Sequence, residues 1–384
     1  MHAILISHAA VKAANRIPYR LLAGLGCDVT LVVPDRWRSG LGDIRAEPEP
    51  ADSPLRMRVY KRLGKSHSNL YFLAGSLPGL IRSGSRPAAM YVDEDPAGFV
   101  AVQAAQAAHS CGAGLVILAI QNLFKRYPAP FEMMQRYAFR QAGASVSISE
   151  QAAETLRARG YHGPNIAMGF GTDVAPLTAS ERSEMRDRFG LRGPLAGYVG
   201  RLVPEKGVDV FIEALALRPE LCGVIAGTGP EREALESLAR ERGVTDRLTF
   251  TGVLAPADAA RIIGTLDVLV LPSRTRKNWA EQFGRVLIEA MASDVAVVAS
   301  DSGAIREVVG DAGMLVREDD PNDLAAGIAR ALEPETNLRM RAAGMHRVSE
   351  HFTNMAVARA LYGALQTAAG SSRRASSGVP LVVS

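Results

Sequence analysis

The sequence predicts an α/β chain of two doubly wound parallel sheets, one after the other. Three observations carry this. Short apolar runs alternate with helical segments over most of the 384 residues. The runs are apolar nearly throughout, as strands covered on both faces are, and do not alternate with polar residues. A polar segment, 171–193, with prolines at 176 and just beyond it at 194, breaks the rhythm and marks a domain boundary.

In the first half AILIS (3–7) reads as a strand and RIPYRLLAGLG (16–26) as a helix closed by glycine. DVTLVVP (28–34) is a second strand, closed by proline. MYVDED (90–95) is a strand end, PAGFVAVQAAQAAHS (96–110) a helix opened by proline, and GLVILAI (114–120) a buried strand. A helix over 129–142, the strand ASVSIS (144–149) and the helix EQAAETLRARG (150–160) complete this half. The alternation restarts with LAGYVG (195–200), a helix from about 207, CGVIAG (222–227) and a helix over 230–242. RLTFTG (247–252), DVLVLPS (267–273), VAVVAS (295–300) and GMLV (313–316) are its further strands. Helices follow from 321 to 366. The Ser/Gly-rich residues 369–384 read as a flexible tail, whose LVV has strand addition as its alternative.

Hydrophobic residues make up 47% and charged residues 22%, the balance of a globular chain. No apolar run approaches the roughly 18 residues of a membrane span, and MHAILISHAA lacks the basic start of a signal peptide. Cys27, Cys111 and Cys222 stand far apart, with neither metal-ligand nor disulfide spacing. A cytoplasmic setting is therefore expected. The net charge is only +4, but residues 1–86 hold 13 Lys/Arg against 6 Asp/Glu. RMRVYKRLGK (56–65) reads as a solvated basic loop, with an acidic acceptor or peripheral contact to anionic lipid at the inner membrane face as the alternatives. No stacking-aromatic or recognition-helix pattern accompanies the charge, which excludes nucleic acid.

Doubly wound sheets bind ligands beyond the C-terminal ends of their strands, and four segments of the second half fall there. In GRLVPEKG (200–207), Arg201 and Lys206 flank a proline turn before a helix and suit a pyrophosphate; a solvated surface turn is the alternative. In AGTGPE (226–231), Gly227 lets backbone approach a ligand, though most such turns are ordinary. In RTRKNWAEQFGRVLIEAMA (274–292), the amides of Phe283, Gly284, Arg285 and Val286 open a helix and attract phosphate. Glu281 in the loop can reach hydroxyls on the bound group. Glu289, one turn inside the helix, suits a vicinal diol such as a ribose; pairing with an arginine is the alternative. In SDSGAIREVVGDAG (300–313), Ser302 and Gly303 either shape the same wall or cap a helix.

The run from GYVGRLVPEKGVDVFIEAL through EQFGRVLIEAMA to SDSGAIREVVGDAG, residues 197–316, resembles the retaining family 4 glycosyltransferases (glycosyltransferase group 1) of GT-B fold. The resemblance implies two Rossmann-like domains facing across a cleft. Residues 1–172 would bind the acceptor and 190–350 the nucleotide sugar, with a helix at 351–368 crossing back to the first domain. It implies a nucleoside-diphosphate-sugar donor of UDP or GDP type and no required cofactor. Arg201 and Lys206 match its phosphate-binding pair, Glu281 the glutamate on the donor sugar and Glu289 the one on the ribose. The base would lie near Gly252 and Val253. SDVAV (293–297) stands where relatives usually show a glycine and a proline, which puts the turn before that strand in question.

The first half departs further from the family. The loop after its first strand, SHAAVKAANR (7–16), has no glycine, and Gln121-Asn122 stand where many relatives carry a histidine. Gln121 can bond a sugar hydroxyl but cannot act as a base, so no general base is assigned. Asp93-Glu94-Asp95 has the look of a DxD metal motif. The GT-B context argues for Glu94 as a cleft residue orienting acceptor or donor sugar, and for no metal. His8 is expected at the cleft or in a structural role. The expected function is retaining, metal-independent transfer of a sugar, of hexosyltransferase type, to a hydroxyl acceptor, lipid-linked or otherwise. The expected setting is cell-surface polysaccharide, glycolipid or other glycoconjugate synthesis. The rivals are a non-catalytic sugar-nucleotide-binding protein and a sugar-nucleotide epimerase.

Overall fold

The computed structural model describes residues 1–39, 42–75, 77–82 and 86–377. The chain divides into two compact units, Met1–Gly169 together with the segment from Asn354, and Phe170–Thr353.

The first unit begins with β1 (His2–Ser7), α1 (Ile17–Gly24), β2 (Asp28–Pro34), a small hairpin of β3 (Arg36–Ser39) and β4 (Gly42–Arg45), β5 (Leu55–Gly64), β6 (Tyr71–Ala74) and α2 (Leu77–Arg82). It continues with β7 (Ala89–Asp93), α3 (Phe99–Cys111), β8 (Gly114–Ala119), α4 (Ala129–Gln141), β9 (Ala142–Ser147), α5 (Glu150–Ala158) and β10 (Asn165–Ala167). Its sheet runs β10-β9-β8-β7-β1-β2-β5-β6, parallel except that β6 is antiparallel to β5. The order reverses between β1 and β7, so the residues after these two strands stand at a topological switch point.

Residues 56–65 are thus not a loop: Arg56 to Gly64 belong to β5, paired with β2 from Leu55 to Tyr60. Polar residues hid this strand because it lies near the sheet edge, where much of it is exposed. The glycine-free loop after β1 is held by Arg16, which is fully buried and donates to the carbonyls of Ala10 and Val11 and to Asp52 at 2.5 Å.

The second unit holds α6 (Ala179–Arg188), β11 (Leu195–Val199), α7 (Val208–Ala216), β12 (Cys222–Ala226), α8 (Arg232–Glu241), β13 (Leu248–Gly252), α9 (Pro256–Thr265) and β14 (Val268–Leu271). Then come α10 (Arg285–Ala292), β15 (Ala296–Ser300), α11 (Ile305–Val309), β16 (Met314–Val316), α12 (Pro321–Leu332) and α13 (Pro334–His351). Its parallel sheet runs β13-β12-β11-β14-β15-β16 and switches between β11 and β14. The segment 171–193 contains α6, which has no apolar stripe and buries only Met185. A capping box joins Thr178 to Glu181, and Arg182 and Arg186 reach Asp267 at 2.6 and 2.9 Å. Before β15, Asp294 adopts φ 59°, the conformation a glycine would take, and its carbonyl and carboxylate both bind Arg341.

The final helix, α14 (Asn354–Ser377), packs in the first unit on α1, β8 and β9. It runs on through 369–377, residues expected to be a tail. Side-chain-free Gly114 and Gly143 let the backbone around Ala368 lie against the sheet. The LVV stretch (381–383) lies outside the described residues. Among the described residues no helix is long and apolar enough to cross a membrane.

Candidate functional site

In the second unit the loops after β11, β12, β14 and β15 interlock at the switch point. Gly200 donates to Ala226, Gly227 (φ 144°) donates to Gly252 (φ 72°), and a Cβ on Gly227 would collide with the Gly200 carbonyl. Gly207 (φ 63°) caps α7, and a Cβ there would strike the carbonyl of Pro272. The Arg274 amide donates to Glu205 at 2.8 Å. The loops carrying Lys206 and Glu281 are therefore held together by backbone contact.

Between them Lys206 Nζ meets Glu281 Oε2 at 2.5 Å, and the Ser273 hydroxyl donates to the same oxygen at 2.8 Å. The Lys206 ammonium also lies 5.1 Å from the centre of the Trp279 ring. Glu281 is buried, and its carbonyl accepts the Ala304 amide, tying in the loop before α11. Ser302 does not cap α11 with its side chain; its hydroxyl lies 3.0 Å from that of Thr275.

α10 begins at Gly284 in a left-handed conformation (φ 79°), with no side-chain cap. Among the described residues the amides of Phe283, Gly284, Arg285 and Val286 have no hydrogen-bond acceptor. The start of the helix is fixed by Phe283, buried edge-to-face against Phe170 at 5.1 Å and Phe352 at 5.6 Å. Glu289 follows Arg285 by four residues on the same face and is half-buried. Burial pushes its carboxyl pKa up, Arg285 offsets this only in part, and no hydrogen bond reaches the carboxylate among the described residues. Arg201 is exposed with its guanidinium free, and Val253 is exposed beside Gly252. The loops and helix starts that follow the strands of the second unit therefore carry the free amides, Arg201, Lys206, Glu281 and Glu289, with Gly227, Gly252 and Val253 at the ends of β12 and β13.

In the first unit β1 and β7 pair Ser7 with Asp93, which places His8 beside Glu94. His8 donates to Glu94 from its amide at 2.8 Å and from Nδ1 at 2.6 Å, and the Tyr71 hydroxyl donates to the same carboxylate. Glu94 is 1% exposed, and both its oxygens are occupied, one by the His8 amide and the Tyr71 hydroxyl and the other by the His8 ring. Burial raises the Glu94 pKa. Burial also works against the charged His8 ring, but Glu94 outweighs it and the His8 pKa is raised. The Trp37 ring lies 4.2 Å from that of His8 and 4.9 Å from that of Tyr71. Neither aromatic has a motif around it to announce it in the sequence.

The three carboxylates of the acidic run diverge. Asp93 accepts from Ser7 and Tyr19, Glu94 from His8 and Tyr71, and Asp95 from the Ala97 amide and Tyr127. Gln121 lines a cavity with Pro96, Gln135 and Arg159 that has room for about one water molecule. Gln135 Nε2 and Arg159 Nε are buried there without a partner. Asn122 lies beside it and donates to Gln151 at 3.4 Å.

Residues 181–347 match the family described as glycosyl transferases group 1. The chain is 32% identical over 235 residues to an alpha-D-kanosaminyltransferase of Streptomyces kanamyceticus, covering 57% of this chain and 59% of that one. It is 32% identical over 228 residues to a GDP-mannose-dependent alpha-(1-6)-phosphatidylinositol monomannoside mannosyltransferase of Mycolicibacterium smegmatis, covering 55% and 60%. The matches thus span about 60% of the length of these curated relatives. Over 95% of this chain and 99% of the other, the structure superposes on the crystal structure of Anabaena HepE in complex with UDP, with a TM-score of 0.74 at 18% identity. The shared architecture is the GT-B fold.

Proposed function

We propose that this chain, whose residues 181–347 match the group 1 glycosyl transferase family, moves a sugar from a nucleoside-diphosphate sugar to a hydroxyl acceptor with retention and without a metal. One observation carries the reading: the start of α10 offers unused amides next to a half-buried carboxylate that lacks a donor. A diphosphate fits the amides, and a ribose diol fits Glu289. Arg201 supplies a fork for the phosphates. Lys206 has three N–H donors and can hold Glu281 and a phosphate oxygen at once. Glu281, anchored by Lys206 and Ser273, reads the hydroxyls of the donor sugar.

As the bond from the anomeric carbon to phosphate breaks, charge builds on the leaving oxygen, where the amides, Arg201 and Lys206 stabilise it. The acceptor oxygen bonds to the same carbon from the same face, and its proton passes to the departing phosphate. This route needs no protein base, in keeping with Gln121 where relatives carry histidine. UDP and GDP are the donor types, in line with the UDP of HepE and the GDP-mannose of the mannosyltransferase. The acceptor we propose belongs to cell-surface polysaccharide, glycolipid or related glycoconjugate synthesis in the cytoplasm, where the three free cysteines stay reduced.

The test measures UDP and GDP binding by calorimetry and donor turnover with labelled sugar nucleotides. Arg201→Ala should weaken the diphosphate at least tenfold and leave the free nucleoside unchanged. Equal loss of both would reject the phosphate role. Donor bound but never consumed with any acceptor would make the protein a binder.

A further inference from the structure

The edge of the first sheet carries a surface that the proposed reaction does not use. Along β5, side chains alternate between the two faces. On the odd-numbered face Leu55 is buried, but Val59 and Leu63 are 45% and 36% exposed. Leu63 stands opposite Phe72 across the β5–β6 pair, and Phe72 is 41% exposed. The Phe72 ring meets that of Phe99, equally exposed at the start of α3, edge-to-face at 6.2 Å. Lys61 shares this face between Val59 and Leu63, and Lys65 follows the strand. Among the described residues the side chains of Arg58, Lys61 and Lys65 are exposed, and none of them makes a hydrogen bond or ion pair. The surrounding sequence is one-sided in charge: residues 53–92 contain seven Lys/Arg and no Asp or Glu.

We infer that this face docks on an anionic lipid bilayer, with Val59, Leu63, Phe72 and Phe99 entering the headgroup region and Lys61 and Lys65 meeting lipid phosphates. Exposed apolar groups rimmed by unpaired cations match a surface that is oily within and negative outside. A second copy adding its own strand to β6 fits less well. The Leu73 N–H and C=O, in the middle of β6, are both taken by the Gln103 side chain, at 3.0 and 3.1 Å, so an added strand would have to displace it. The inference goes beyond the transfer reaction and does not depend on it, since docking requires neither donor nor acceptor.

The experiment is co-sedimentation of the full chain, without nucleotide, with vesicles of phosphatidylcholine and of phosphatidylcholine mixed with phosphatidylglycerol. The protein should partition onto the mixed vesicles and be released by salt. Removing each of Lys61 and Lys65, as Lys61→Ser and Lys65→Ser, should lower the partition roughly fivefold. Leu63→Ser with Phe72→Ser should lower it about tenfold with every cation still present. All four positions are exposed, and circular dichroism checks that the variants stay folded. Equal binding to both vesicle types, no binding to either, or variants that bind like the parent would overturn the inference. So would a dimer abolished by Phe72→Ser in a protein that ignores vesicles, which would give the face to a second copy.

Discussion

A carboxylate that is half-buried and has no donor destabilises the protein around it until a ligand arrives. Glu289 is in this position, and burial raises its pKa above the ordinary 4.5. The folded state therefore holds the proton more tightly than the unfolded chain does. Stability from this group is complete below the unfolded value and is lost as pH rises through the folded one. Glu289→Gln should then raise the melting temperature of the ligand-free protein at pH 7, with no gain below pH 4. The same variant should weaken a ribonucleoside diphosphate about tenfold and leave the 2′,3′-dideoxy analogue unaffected. Thermal shift and calorimetry read the two effects separately, and a melting temperature that falls at pH 7 would contradict the burial argument. His8 has the same sign for a different reason. Burial opposes its charge, but Glu94 outweighs that and raises its pKa above 6.5. The stability from the His8 proton is full below 6.5 for as long as Glu94 stays ionised, and is lost as pH rises through the raised value. Glu94→Gln should move the His8 titration, followed by NMR, to lower pH. The glutamate pair at 281 and 289 is legible in the sequence because helix position and loop chemistry announce it. The surroundings of His8 are not, because Trp37, Tyr71 and Glu94 come from separate strands and strand ends that only the folded sheet brings together.

At the scale of elements, two turns solve the same backbone problem differently. Gly207 needs a positive φ and also sits where any Cβ would strike the Pro272 carbonyl. Gly207→Ala should cost about 2 kcal/mol or more in chemical denaturation, and it should weaken the diphosphate by parting the loops that carry Lys206 and Ser273. Asp294 also has a positive φ, yet Arg341 compensates by binding its carbonyl and its carboxylate. Asp294→Gly relaxes the backbone while losing that partner, so its effect should stay well below that of Gly207→Ala. Elements buried on both faces are the ones the sequence shows: β2 is read from 28 to 34 as observed, and β8 and β11 differ by a single residue at one end. The β3–β4 hairpin, β5 and α6 escape notice because half or more of their residues face solvent and leave no apolar period. Their stability comes from neighbours instead, from β2 for β5 and from Asp267 for α6.

Over the whole molecule, the chain builds its first unit from two distant pieces. Residues up to Gly169 make the sheet, and α14 returns after the second unit is complete to cover β8 and β9. Ala358, Leu361, Ala364, Leu365 and Ala368 of α14 are fully buried, so without the helix a large apolar face of the sheet would be bare. The second unit, Phe170–Thr353, is continuous and carries every residue proposed to bind the nucleotide. Gly114→Leu should therefore act on one unit only. The new side chain meets the backbone of Ala368 and Ala369 and lifts α14 from the sheet, lowering the melting of the first unit while the second melts as before. Calorimetry of the variant should resolve two transitions. A nucleoside diphosphate at 100 times its Kd should add about 2.7 kcal/mol to the second and nothing to the first. A nucleotide that shifts only the first transition would place the donor in the wrong half of this account, and the roles of Arg201, Lys206 and Glu289 would fall with it.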